Sequence, residues 1–159
     1  MFILSSYYSI IMKARGDRMN VRVVYTSHCK EARKLAEDMA RYVRTHAIPI
    51  SEYDFHENVD LLVVGFEEYL CFKDSELESF LSQVSRQYVK NVALFNVFHF
   101  KTKDMDKTIK MCQKYNLPLL RETYSCRKDL KNCQCQCDDM ISGARNYIED
   151  MVNICNHYY

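Results

Sequence analysis

From residue 21 onward the chain alternates short apolar runs with amphipathic stretches. VRVVYT (21–26), LLVVGF (61–66) and VALFNVF (92–98) are almost unbroken apolar runs, the pattern of strands buried on both faces. LPLLRETY (117–124) is a weaker fourth run, and IPISEYDF (48–55), with its proline and polar positions, predicts a half-buried edge strand. Between these runs apolar residues recur at helical spacing. Ala32, Leu35, Ala36, Met39 and Val43 form one stripe. Leu77, Phe80, Leu81 and Val84 form a second, after a cap at Asp74 or Ser75. Met105, Ile109 and Cys112 make a third, and Ile141, Ala144, Ile148, Met151, Val152 and Cys155 a fourth, opened by Asp138-Asp139. Such stripes are core-packing surfaces. Five strands alternating with four helices predict a parallel α/β sheet with helices on both faces.

In sheets of this kind ligands bind outside the carboxyl ends of the strands, near the point where strand order reverses. The loops to search are therefore 26–31, 66–75, 96–104 and 125–138. The first hands a strand over to a helix as a phosphate-binding turn does. Yet its middle reads His28-Cys29-Lys30-Glu31, with no glycine and a carboxylate where an anion would sit.

Composition narrows the class. The 159 residues fit one domain, and 48% apolar with 27% charged residues is ordinary for a globular chain. A net charge of +1 argues against nucleic acid as a partner. Three glycines and two prolines supply too little turn chemistry for an all-β fold. Of eight cysteines, Cys29, Cys71, Cys112 and Cys155 lie singly in or beside patterned elements, as reduced thiols do, which points to the cytoplasm. The apolar part of residues 1–18 is too short to span a bilayer, and its charges follow it, the reverse of a signal peptide. No membrane insertion is expected. Residues 1–18 read as a disordered or loosely packed extension, or as a start assigned upstream of Met19, and residues 19–159 as the domain.

VRVVYTSHCKEARKLAEDMARYV resembles the opening of short-chain flavodoxins and flavodoxin-like proteins. DLLVVGFEEYLCFKDSELESFL is similar to their third strand, loop and helix, KNVALFNV to their fourth strand, and Tyr124-Ser125-Cys126 to the end of the fifth. The resemblance covers about residues 20–155. It implies a flavodoxin-like three-layer doubly wound sandwich, with a five-stranded parallel sheet in the order 2-1-3-4-5. It also implies FMN as cofactor, electron transfer or an accessory role to a flavin reductase, and a redox partner protein. The cofactor residues it implies are Thr26, Ser27, His28, Cys29, Lys30, Tyr69, Asn96, Val97 and His99.

The motif departs from the family at the phosphate loop, which runs Ser/Thr-x-Thr-Gly-Asn-Thr. Ser27 fits its first position; Cys29, Lys30, Glu31 and Ala32 replace the rest. Glu67-Glu68-Tyr69 follows Gly65 where an aromatic and further glycines are usual, with Tyr69 positioned to stack on a flavin. Phe98-His99-Phe100 stands where a small residue is expected. The location of the loops is kept while their chemistry has changed.

Cys126, Cys133, Cys135 and Cys137 form a second candidate site, since thiolates suit Zn²⁺, Cu(I) or an iron–sulfur cluster. In an extended C-x-C-x-C loop alternate side chains point the same way, so three sulfurs converge. Incidental thiols and reversible redox chemistry are the alternatives. The functional readings are thus an FMN-linked electron carrier or reductase accessory, a flavin-free interaction module of the same fold, and a thiol or metal protein. No Ser-His-Asp order, HExxH, Walker loop or GxGxxG is present, which removes hydrolase, ATPase and dinucleotide readings. Neither an electron donor nor a substrate is named, and enzyme activity stays open.

Overall fold

In the computed structural model, residues 19–26, 30–67, 75–99, 103–127 and 133–158 are described. The elements run β1 (Val21–Tyr25), α1 (Lys30–Tyr42), β2 (Ala47–Pro49), β3 (Leu61–Glu67), α2 (Ser75–Gln83), β4 (Val92–Phe98), α3 (Lys103–Lys114), β5 (Leu119–Arg127) and α4 (Cys133–Tyr158). All neighbouring strands are parallel, in the order β2-β1-β3-β4-β5. The doubly wound topology expected from the sequence is present. The extension expected over residues 1–18 lies outside the described residues.

Unbroken apolar runs became central strands because both sides of the sheet are covered. Every residue of β3 is buried. Val23 and Val63 pack under α1 and α4 with Leu35, Met39, Ile148 and Met151. Val24, Leu62 and Leu94 pack under α2 and α3 with Leu77, Phe80, Leu81 and Met105. Each such fully buried side chain contributes about 1.5–3 kcal/mol of transfer free energy, which is what fixes the helices to the sheet.

Three boundaries depart from the sequence reading. The edge strand expected over 48–55 is three residues long, because Ile50–Glu52 turn into a 3-10 helix directly after Pro49. β5 continues past Tyr124 to Arg127, so Cys126 belongs to a strand and not to a loop. α4 begins at Cys133, five residues before the expected Asp138-Asp139 opening.

Three local features shape the middle of the sheet. β4 and β5 slip between Val92↔Leu119 and Leu94↔Thr123, a bulge that disturbs the ladder. The Tyr147 hydroxyl sits between the Leu94 and Glu122 carbonyl oxygens, at 2.9 and 3.0 Å, and serves the acceptors there. Gly65, inside β3, leaves room for the Phe95 ring: a Cβ at that position would come within 2.1 Å of the ring's Cζ. The glycine is there for packing under the neighbouring strand.

Candidate functional site

Strand alternation decides what lines the carboxyl-end rim. On β3, Leu61 and Val63 face α1 and α4, and the same parity continues through Gly65 to Glu67. On β4, Ala93, Phe95 and Val97 share that face, and His99 is the next residue of the series. Register pairs Glu67 with Val97, so the acid and the imidazole meet beside each other. His99 Nε2 lies 3.1 Å from Glu67 Oε1. The Glu67 side chain is 0% exposed and that of His99 16%.

The other oxygen of Glu67 reaches α1. Glu31 N–H donates to Glu67 Oε2 at 3.3 Å. This amide is one of the first-turn donors that a helix leaves without an internal partner. The Glu31 side chain points to Lys34 Nζ, 3.5 Å away. Cys126 belongs to the same cluster. Burial, reinforced by the Glu31 and Glu67 carboxylates, pushes its thiol up to about 12. A thiol in that setting stays protonated at neutral pH and is a poor nucleophile.

The residues expected from sequence divide sharply. Thr26 is buried at the end of β1, with its N–H on the Gly65 carbonyl at 3.1 Å. Lys30 opens α1 and is exposed. Val97 is core, and His99 is held by Glu67. Asn96 has the parity of Val92 and Leu94, toward α2 and α3. It is fully buried, and among the described residues neither its amide nitrogen nor its oxygen has a hydrogen-bond partner. Asn96 and Val97 therefore serve opposite faces of the sheet. Ser27, His28, Cys29 and Tyr69 lie outside the described residues.

Around the cysteines the backbone differs from the loop expected over 125–138. Cys133, Cys135 and Cys137 begin a helix, and a helical backbone turns about 100° per residue. The backbone from Cys133 to Cys137 is therefore helical and not the extended loop expected from the sequence. Cys126 precedes them on β5, facing the core. Among the described residues no group of three His, Cys, Asp or Glu side chains is placed to hold a metal ion.

Glu67 is what sequence reading missed. It falls in the loop expected over 66–75, because a glutamate after an apolar run reads as solvated. The signal was there in the alternation Leu61, Val63, Gly65, Glu67 against Ala93, Phe95, Val97, His99. A separate cleft of about 460 Å³ opens at the carboxyl end of β2, between Tyr25, Arg33, Glu37, Ile48 and Glu52. It lies at the sheet edge, away from the β1/β3 reversal, and its Arg33 is paired with Glu37.

No protein-family model matches the sequence, and no curated protein does. Solved structures do match. A flavodoxin from the domain Archaea aligns with a TM-score of 0.64 at 12% identity, over 87% of this chain and 100% of that one. Oxidised flavodoxin 2 from Bacillus cereus gives 0.63 at 10% identity, over 84% and 98%. The rubredoxin oxygen:oxidoreductase of Desulfovibrio gigas gives 0.55 at 12% identity, over 84% of this chain but 36% of that one. The chain has the flavodoxin-like fold. At these identities the likeness defines the fold alone, and the chemistry of the rim rests on this chain's own residues.

Proposed function

We propose that the protein works in a redox chain as a flavodoxin-like partner of a reductase, as electron carrier or accessory. The observation that carries this reading is the complete 2-1-3-4-5 sheet. It sets the carboxyl ends of β1 and β3 side by side at the reversal point, where folds of this type take their ligands. The likeness to a flavodoxin and to part of a rubredoxin oxygen:oxidoreductase supports a redox setting. The buried, unbridged thiols of Cys112, Cys126 and Cys155 support a cytoplasmic one. Among the described residues no helix is long and apolar enough to cross a membrane.

FMN is the cofactor this fold implies, and its phosphate does not fit the first turn of α1. That seat already holds the Glu67 carboxylate on the Glu31 N–H. Among the described residues, the Asn96 amide, buried without a hydrogen-bond partner, favours a further polar occupant on the other face of the sheet. The Glu67 arrangement favours the second reading, an interaction module of the same fold that carries no flavin. The visible spectrum of freshly purified protein, followed by flavin titration, separates the two. A flavin band or saturable uptake is expected on the first reading. A colourless protein that takes up no flavin and still binds a reductase would leave the interaction module standing.

A further inference from the structure

We propose that Glu67 is a built-in anion seated at the N-terminus of α1, which closes that seat to phosphate and makes binding at this rim phosphate-independent. The first turn of a helix presents unpaired N–H groups and the positive end of the macrodipole, so it attracts an anion. In this chain the anion is supplied by β3. Glu67 Oε2 accepts the Glu31 N–H at 3.3 Å, and Oε1 lies 3.1 Å from His99 Nε2. The side chain is 0% exposed and leaves from a strand buried on both faces.

Several features make the seat exclusive. A phosphate brought to these N–H groups meets a carboxylate of the same sign where water screens little. It must also displace a side chain that is hydrogen-bonded at both oxygens. Of the two lysines in the described part of this turn, Lys34 is drawn to Glu31, and the charge of Lys30, exposed to solvent, is screened by water. The chain has exchanged an anion carried by a ligand for one carried by itself. A ligand of this rim is then recognised by its ring or by a partner surface, and a phosphate tail adds nothing to its affinity.

The test uses the full chain, its Glu67→Gln variant and a Glu57→Gln control, which removes the same charge at the opposite end of the sheet. Glutamine keeps an oxygen for the Glu31 N–H and removes the charge. Inorganic phosphate is titrated calorimetrically into all three proteins, and riboflavin and FMN by flavin fluorescence. The expected result is no phosphate binding by the wild type or by Glu57→Gln, and measurable binding by Glu67→Gln. Where flavin binds, the wild type should hold riboflavin and FMN within about twofold. Glu67→Gln should then shift the ratio toward FMN by about tenfold, equivalent to about 1.4 kcal/mol. Phosphate bound by the wild type, or by none of the three, overturns the proposal, as does a wild-type preference for FMN of tenfold or more. If Glu67→Gln does not fold, Glu67→Ala takes its place: phosphate binding by that variant is expected, and its absence overturns the proposal. The phosphate arm needs no flavin, so failure of this proposal is distinguishable from failure of the redox reading.

Discussion

At the amino end of the sheet Arg22 grips Glu57, Asn20 bonds to Asp60 and to the Asn58 carbonyl, and Lys90 pairs with Asp60. At the carboxyl end Glu67 is held by a backbone N–H and an imidazole. Both ends use carboxylates to tie separate segments of the chain together, but under different conditions. Arg22 and Glu57 are 32% and 30% exposed, and water shares the load. Glu67 is fully buried, so each of its partners must be supplied by the protein. Solvent-facing pairs of the first kind contribute little, whereas a buried acceptor that loses its donor, or the reverse, costs the full desolvation of the orphan. The amino end is an adjustable seam and the carboxyl end a fixed socket.

The largest way to break the socket is through the strand that carries it. Gly65→Ala should cost about 3 kcal/mol, at the upper end of overpacking penalties, because the Phe95 ring fills the space a methyl needs. Urea unfolding measures it as a fall in midpoint at constant slope. A loss below 1 kcal/mol would mean that the ring swings aside freely.

Next in size is a direct comparison of the two acids. Glu67→Ala removes the buried carboxylate that accepts the Glu31 N–H and lies against the His99 imidazole, for about 1–3 kcal/mol. Glu57→Ala should cost under about 1 kcal/mol. Equal losses at the two sites would erase the contrast between seam and socket. Tyr147→Phe follows, at about 1 kcal/mol, since the Leu94 and Glu122 carbonyls lose their shared hydroxyl donor. Faster amide exchange along β5 with β3 unchanged is the expected signature.

The smallest effect is a matter of pH at the seam. The Arg22 guanidinium holds the Glu57 carboxyl below its ordinary 4.5, partly opposed by burial and helped by Asn20. The folded value lies under the unfolded one, so the stabilisation is complete above the ordinary carboxylate range. It is lost as pH falls through the lower, folded value. Glu57→Gln should therefore flatten that part of the acid limb by under about 1 kcal/mol, given the exposure of the pair. An acid limb identical in wild type and variant would place the effect elsewhere.

These contrasts also explain what was legible in the sequence. The central strands were, because LLVVGF and VALFNVF are apolar on both faces, as strands covered by helices on both sides must be. Helix cores were, through their stripes. The short edge strand was not, since Ile50 and Tyr53 are buried from a 3-10 turn and its exit, and look like strand positions in the sequence. The start of α4 was hidden because Asp138-Asp139 imitates a cap while the helix already runs from Cys133. For the site, the rim was legible from topology alone. Its occupant was not, because a glutamate after an apolar run looks solvated unless the parity of two strands is read together.

The brevity of β2 has a consequence for how the molecule meets its own copies. An open sheet ends in rows of N–H and C=O groups that invite another strand to add on. Here one margin is three residues long and stops at Pro49, which has no N–H to offer. The other margin, β5, carries exposed Arg121, Glu122 and Arg127 and a bulge near its start. Neither border presents a long, flat, uncharged template. Crowded chains of this protein therefore have little backbone with which to stitch themselves into a continuous cross-β array.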